Sequence, residues 1–436
     1  MDIGLITLLM FGGLFLLLAL KVPLAFATGT IAMAVGYAVM GRRIFPLFPS
    51  SVYSIVTNYV YVALPMFIFM GAVLERSGIS DDLYDAIYHW MGSIKGSLAI
   101  ATIAAAMILS AMIGNMGAVV CSMGVIALPA MKKRGYDLKM TMGSIMAGGS
   151  LGILIPPSVL LIIYGLWANI SIRSLFLGAV GPGILLGGLY MVFIFVRSLI
   201  NPKLAPALPK EERGSLRENL VRTKALILPV ALIVFVMGSI VFGIASPTEA
   251  SGMGAFGALV CAAIHRRLNW GLIKYACLST LKLSAMVMWI AFGAIMFVYT
   301  YNYLGGVQFI TNLILSMPVH PWVILIGMMV IVIILGMIIE WIGIIMLTVP
   351  IFVPIILRLG FDPLWFAMLM AVNLQMDVLT PPFGYALFYM KGVAPKGTTT
   401  LDIYRAAYPF CAIQLLCLIL VMVFPQIALW LPSLIK

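Results

Sequence analysis

Two clusters of oxygen-bearing residues stand inside stretches that are otherwise apolar. The first is Gly114-Asn115-Met116-Gly117 with Gly148-Gly149-Ser150-Leu151-Gly152 and Ile155-Pro156-Pro157-Ser158. The second runs from Gly336 through Glu340 to Trp341 and joins Asn373-Leu374-Gln375-Met376-Asp377 and Leu379-Thr380-Pro381-Pro382, with Gly384 just behind. Proline lacks a backbone donor and clashes with the preceding turn, so Pro-Pro inside a hydrophobic segment breaks a helix and frees carbonyls. Freed carbonyls, side-chain amides, hydroxyls and carboxylates are the oxygen ligands that a hard cation takes; sodium resembles calcium in this. The chemistry is therefore ion coordination rather than bond making. His89, His265 and His320 are isolated, and Cys121, Cys261, Cys277, Cys411 and Cys417 are scattered without metal spacing. No nucleophile and base stand together, which argues against an enzyme.

Broken backbone within a bilayer is tolerated only where protein buries it or a cavity hydrates it. Symmetric breaks of this kind point to the binding site of a secondary transporter. On this reading Gly114, Asn115, Gly149, Gly152, Ile155 and Pro156 hold sodium at the first cluster, and Gly336, Glu340, Asn373, Asp377, Thr380 and Pro381 at the second. Asn115, Ser150, Ser158, Gln375, Thr380 and Gly384 face the solute. Sodium is the sole cofactor expected. Asp377 and Glu340 stand out because an ionisable side chain inside a span is costly and functional by default. The structural alternatives are close helix packing by the glycines and capping, or pairing with a loop base such as Lys391, by the acids. Glu249, in Ser246-Pro247-Thr248-Glu249, reads as ordinary helix-start chemistry.

The elements that must position these residues are membrane helices. Hydrophobic residues make up 63% of the 436 positions and charged residues 9%, with mean hydropathy +1.15, far outside the soluble range. Apolar stretches run over 3–20, 23–40, 51–74, 97–131, 138–170, 174–200, 225–245, 248–264, 276–300, 321–358, 363–392 and 403–434. Each reaches the roughly 20 residues a span needs, and several exceed it. Alternating ten-residue strands are absent, so a barrel is excluded. The formal charge of +12 lies in loops, the positive-inside pattern, rather than in a nucleic-acid patch. Met1 to Met10 carries no Lys or Arg, so the start reads as a retained first helix.

Pro129, Gly135, Asp137, Pro156, Pro157 and Tyr164 recur 225 positions later as Pro354, Gly360, Asp362, Pro381, Pro382 and Tyr389. The expected fold is an all-α polytopic membrane protein, an inverted repeat with two re-entrant hairpins and two broken helices. The first unit spans 1–200, a basic cytoplasmic linker 201–224, and the second unit 225–436. With both termini outside, segment 97–131 must enter and return on the inner side, since Lys95 and Lys132-Lys133-Arg134 flank it. At the same offset that basic run becomes Leu357-Arg358-Leu359, as an outward-facing copy requires. Asp81 to Trp90 reads as a short amphipathic brace at the interface, with Asp82, Asp85 and His89 opposite Leu83, Ile87 and Trp90.

Leu128-Pro129-Ala130-Met131-Lys132-Lys133-Arg134-Gly135-Tyr136-Asp137, Gly149 to Ser158, Gly243-Ile244-Ala245-Ser246-Pro247-Thr248-Glu249-Ala250 and Leu379-Thr380-Pro381-Pro382-Phe383-Gly384 give the chain its resemblance to the large membrane subunit of TRAP transporters, the tripartite ATP-independent periplasmic systems. The motifs lie in both halves. The resemblance implies an elevator-type, sodium-driven carrier of the ion-transporter superfamily that imports a small organic anion across the bacterial inner membrane. It implies two partners: a small four-helix membrane subunit and a soluble periplasmic substrate-binding protein. A stand-alone organic anion transporter of the same superfamily is the alternative. The chain departs from the family at its first tip, where Ile113-Gly114-Asn115 replaces a serine-rich turn, and at Asp377, where a small residue is more usual.

Overall fold

The computed structural model describes residues 1–91, 95–206, 216–382 and 384–435, apart from the side chains of Asp81, Met91, residues 216–222 and Ala225. Residues 207–215 of the expected linker, with Lys210, Glu211, Glu212 and Arg213, and the motif residue Phe383 lie outside the described residues.

The described residues are predominantly helical. The first half runs α1 (Ile3–Ala19), α2 (Leu24–Met40), α3 (Leu47–Val56), α4 (Ala63–Arg76), α5 (Ile79–Met91), α6 (Ser97–Ile113), α7 (Met116–Lys133), α8 (Leu138–Ser150), α9 (Val159–Ala168) and α10 (Ile172–Ile200). The second runs α11 (Leu216–Val241), α12 (Pro247–Ile264), α13 (Trp270–Tyr303), α14 (Gly306–Leu315), α15 (Pro321–Gly336), α16 (Trp341–Arg358), α17 (Pro363–Leu379), α18 (Tyr385–Val393), α19 (Thr400–Val423) and α20 (Gln426–Leu434). Among the described residues, 7 helical stretches are long and apolar enough to cross a membrane.

Local chemistry sets the helix starts. Asp137 Oδ1 accepts from Met140 N at 2.9 Å and opens α8, and Asp362 Oδ1 accepts from Trp365 N at 2.9 Å and opens α17. Each satisfies one of the amides that a helix N-terminus leaves unpaired. Gly135 and Gly360, with φ of 75° and 80°, turn the chain just before them. Ser246 and Glu249 form a reciprocal capping box on α12, so Glu249 does start a helix.

Several stretches are less continuous than their hydropathy suggests. Segment 51–74 is divided between α3 and α4: Asn58 Oδ1 accepts from Val60 N, and Pro65 sits in the first turn of α4, where its missing amide costs nothing. Segment 403–434 divides at Pro425 into α19 and α20. Helix α14 has no counterpart among the apolar stretches named above. In α5, Leu83 is buried while Asp82 and Asp85 are exposed, and the helix packs on α6 and α11. Trp90 departs from the expected apolar side: it is half exposed and donates to Thr223 Oγ1 at 3.0 Å.

Two sets of helices pack closely, and α13 on α16 and α4 on α6 join them. Helices α2, α4, α12 and α13 pair as α2 on α13 and α4 on α12. Helices α6 and α7 pack on α8, α15 packs on α17, and α8, α10, α17 and α19 meet one another. The halves interlock, since α18 lies against α7 and α9 against α16. The start of the linker is tied back by backbone bonds from Gly96 N to Ala205 O and from Asp137 N to Leu204 O.

Candidate ion and solute sites

At the first cluster, α6 ends and α7 begins with only Gly114 and Asn115 between them. Gly114 adopts φ of 61°, the left-handed turn that glycine allows. Helix α8 stops at Ser150, a single 3-10 turn carries Leu151–Ile153, and α9 begins after Ser158. A Cβ added at Gly114 would stand 3.3 Å from the Pro157 carbonyl oxygen, and one at Gly152 3.4 Å from both Met116 N and Ser110 Oγ. The α6–α7 tip thus lies directly on the break between α8 and α9. Ser158 Oγ donates to Ile153 O and Ser150 Oγ donates to Ala147 O at 2.8 Å. Each hydroxyl keeps lone pairs to offer.

The second cluster repeats the plan. Residues 337–340 join α15 to α16, and α17 breaks at Thr380 before α18 begins. The Pro156-Pro157 and Pro381-Pro382 bonds are both cis. A Cβ at Gly336 would stand 2.9 Å from Asp377 Cβ and 3.2 Å from its Oδ1, so the backbone of the α15 end touches the Asp377 side chain. Asp377 is 4% exposed and Asn373 1%; Asp377 Oδ2 and Asn373 Oδ1 have no hydrogen-bond partner. Asn373 Nδ2 donates to Met329 O of α15 at 2.8 Å. Four residues apart on one helix, the two side chains share a face, and both meet α15. Thr380 Oγ1 donates to Met376 O at 2.6 Å. At Gly384 a Cβ would stand 2.8 Å from Val378 O and 3.0 Å from Thr380 O, so only glycine lets the chain fold back over the end of α17.

Not every expected residue joins these groups. Asn115 sits at the tip, but its side-chain oxygen is spent: Oδ1 accepts from Gly117 N at 2.9 Å and Ala118 N at 3.4 Å, capping α7. The structure gives this oxygen a capping role that the sequence alone did not show. Gly149 packs against Val120 of α7, the close-packing role of small residues between membrane helices. Ile155 reaches α10, where its Cγ1 would stand 3.3 Å from a Cβ at Gly183. Gln375 is turned roughly 200° around α17 from Asp377; it is fully buried, and its backbone oxygen accepts from Gln414 Nε2 of α19 at 2.9 Å. Lys391 does not pair with Asp377, because its Nζ donates to Thr398 O.

Sequence reasoning did not single out Ser110 or Gln414. Ser110 is a lone hydroxyl in an apolar run, one helical turn before Gly114, and its buried Oγ has no partner. Tyr389, noted only as a repeat mark, lies over the first tip: a Cβ at Gly117 would stand 2.5 Å from its ring.

Residues 11–427 match the family model described as the tripartite ATP-independent periplasmic transporter, DctM component. The C4-dicarboxylate TRAP transporter large permease protein DctM of Pseudomonas aeruginosa is 34% identical over 379 residues, covering 86% of this chain and 87% of that one. The isethionate TRAP transporter permease protein DctMQ of Oleidesulfovibrio alaskensis is 29% identical, over 97% of this chain and 65% of its own length. The crystal structure of the Alcanivorax borkumensis YdaH transporter superposes with a TM-score of 0.64 at 16% identity, covering 95% of this chain and 98% of that chain, a likeness of fold. The chain is a multi-pass membrane protein and belongs to the DctM family, the large permease subunit of TRAP transporters.

Proposed function

We propose that this permease is sodium-driven and imports a small organic anion, a carboxylate or sulfonate, handed to it by a periplasmic binding protein. One observation carries the reading: at each cluster, helix C-termini and helix N-termini converge on one place. Helices α6 and α8 end where α7 and α9 begin, and α15 and α17 end where α16 and α18 begin. The carbonyl ends bear partial negative charge and favour a cation, while the amide ends favour an anion. Half-helices meeting in this way hold ions and anionic substrates in secondary transporters.

The 225-residue recurrence supports an inverted repeat of 1–200 and 225–436 joined by the linker 201–224, with both termini periplasmic in the inner membrane. The hairpins α6–α7 and α15–α16, with the half-helices α8, α9, α17 and α18, form the body that moves as an elevator against α2, α4, α12 and α13. The sodium ligands are the tip and break carbonyls around Gly114, Gly152, Pro156, Gly336 and Pro381, with Glu340, Asn373, Asp377 and Thr380. Ser150, Ser158, Thr380 and Gly384 border the anion. A small four-helix membrane subunit completes the permease, supported by the DctMQ relative, whose length this chain covers only in part. Relatives named for C4-dicarboxylates, isethionate and 2,3-diketo-L-gulonate support an anionic substrate.

The test is uptake into potassium-loaded proteoliposomes holding this chain and its membrane subunit, using the anion that the accompanying binding protein retains. Uptake is expected only with external sodium and binding protein together. Uptake indifferent to sodium overturns the reading.

A further inference from the structure

Helices α11 and α12 pack side by side and leave a groove along their seam. A Cβ at Gly257 would stand 2.3 Å from Leu232 Cδ1, and one at Gly254 3.2 Å from Val236 Cγ2. These two contacts fix an antiparallel register that sets Leu228 beside Cys261 and Lys224 beside His265 and Arg266. The groove holds about 440 Å³ and is lined by Leu228, Ala231 and Phe235 of α11 and by Met253, Phe256 and Val260 of α12. Its walls are bare apolar surface, with Phe235 56% and Phe256 70% exposed.

Cations gather at one end only. Lys224 precedes Leu228 by one helical turn and His265 follows Cys261 by one, so both lie in line with the groove. Arg266 and Arg267 follow where α12 ends, and Arg266 adopts φ of 54° as the chain turns toward α13. Lys224, Arg266 and Arg267 are exposed, and none of them makes an ion pair among the described residues. The Arg267 guanidinium carbon lies 3.7 Å from where a Cβ of Gly78 would stand, at the start of α5. Trp270, just beyond, is 76% exposed. Exposed Trp beside Lys and Arg marks the headgroup level of a bilayer, and such basic ends fall on the cytoplasmic side.

Length selects the occupant. From Lys224 to Phe235 the groove runs roughly 16 Å, close to half of the ~30 Å hydrocarbon thickness. A partner transmembrane helix needs the full thickness and has no use for unpaired cations at one end. An acyl chain of one leaflet beneath a negative headgroup matches both features, and basic pockets between membrane helices hold such headgroups.

We propose that the α11–α12 groove is a binding site for an anionic phospholipid of the inner leaflet, its acyl chain between Phe235 and Phe256 and its phosphate met by Lys224, Arg266 and Arg267. The site is separate from both helix breaks and independent of the sodium reading. Occupation ties α11 to α12 and, because α12 packs on α4, reinforces the helices against which the hairpins lie.

Native mass spectrometry of the purified full chain, mixed with phosphatidylglycerol or phosphatidylcholine of equal chain length, tests this. The chain is expected to retain one phosphatidylglycerol roughly tenfold more strongly than phosphatidylcholine, since each basic residue strengthens the headgroup contact severalfold. Arg266→Gln with Arg267→Gln should erase that preference, and Arg266→Lys with Arg267→Lys should keep most of it. Ala231→Trp, which fills the groove and leaves the cations in place, should abolish the retention without lowering the melting temperature in neutral detergent. Inorganic phosphate should not displace the lipid, because it offers nothing to the apolar walls. Equal retention of the two lipids, a preference that survives the glutamine pair or Ala231→Trp, or displacement by inorganic phosphate overturns the proposal. Loss of the retained lipid when the small membrane subunit is co-purified overturns it too, making the groove a seat for protein.

Discussion

Asn115 ends α6 and starts α7 with a single side chain. Its oxygen takes two amide hydrogens of the new helix, and losing such a cap costs about 0.5–2 kcal/mol. Asn115→Ala should therefore lower the melting temperature of the detergent-solubilised permease, and Asn115→Ser, which can still cap, should restore most of it. If the serine variant is as unstable as the alanine variant, the amide has a role beyond the cap. The sequence made Asn115 conspicuous but could not tell a capping oxygen from a coordinating one, because that depends on the rotation of one side chain. Asp377 and Asn373 were legible for the opposite reason: polar atoms four residues apart in an apolar helix share a face by geometry alone.

Among the elements, the α6–α7 tip meets α4 through a glycine. A Cβ at Gly71 would run into the Ile113 carbonyl at the end of α6, a backbone atom that cannot rotate away. If the hairpin body travels past α4, this contact exists in one state and is lost in the other. Gly71→Ala should then penalise the present state by about 1–3 kcal/mol, as overpacking does, and tilt the equilibrium between states by roughly 5- to 150-fold. Sodium-driven uptake should fall sharply while the melting temperature changes little, since the protein escapes into the other state. Gly188→Ala, facing open space on α10, is the control; full uptake by Gly71→Ala would mean that the tip does not move against α4. Hydropathy found most of these helices but not their interruptions. The breaks at 57–62 and at Pro425 were written in Asn58, Pro65 and Pro425, single residues that an averaged apolar signal passes over. Helix α14, ten residues long, is too short to register as a span, although the repeat offset applied to α5 lands on it.

For the molecule as a whole, the open question of topology reduces to two exposed cations. Lys133 closes α7 and Arg358 closes α16, 225 residues apart and both at the surface. Basic residues flanking spans are retained on the cytoplasmic side, and the first hairpin ends in Lys132-Lys133-Arg134 where the second keeps only Arg358. An inverted repeat puts these ends on opposite faces; a parallel repeat puts them on the same face, and the loss of two charges would then have no reason. Cysteines placed at each position, in a background where the exposed Cys277 is serine, can be read with a membrane-impermeant maleimide on intact spheroplasts. Arg358→Cys should label from outside, and Lys133→Cys only after the membrane is opened. Equal labelling of the two from outside, or of neither, would remove the inverted arrangement. The proposed elevator depends on that arrangement, because alternating access around paired broken helices needs the two halves to present the same hairpin to opposite sides of the bilayer.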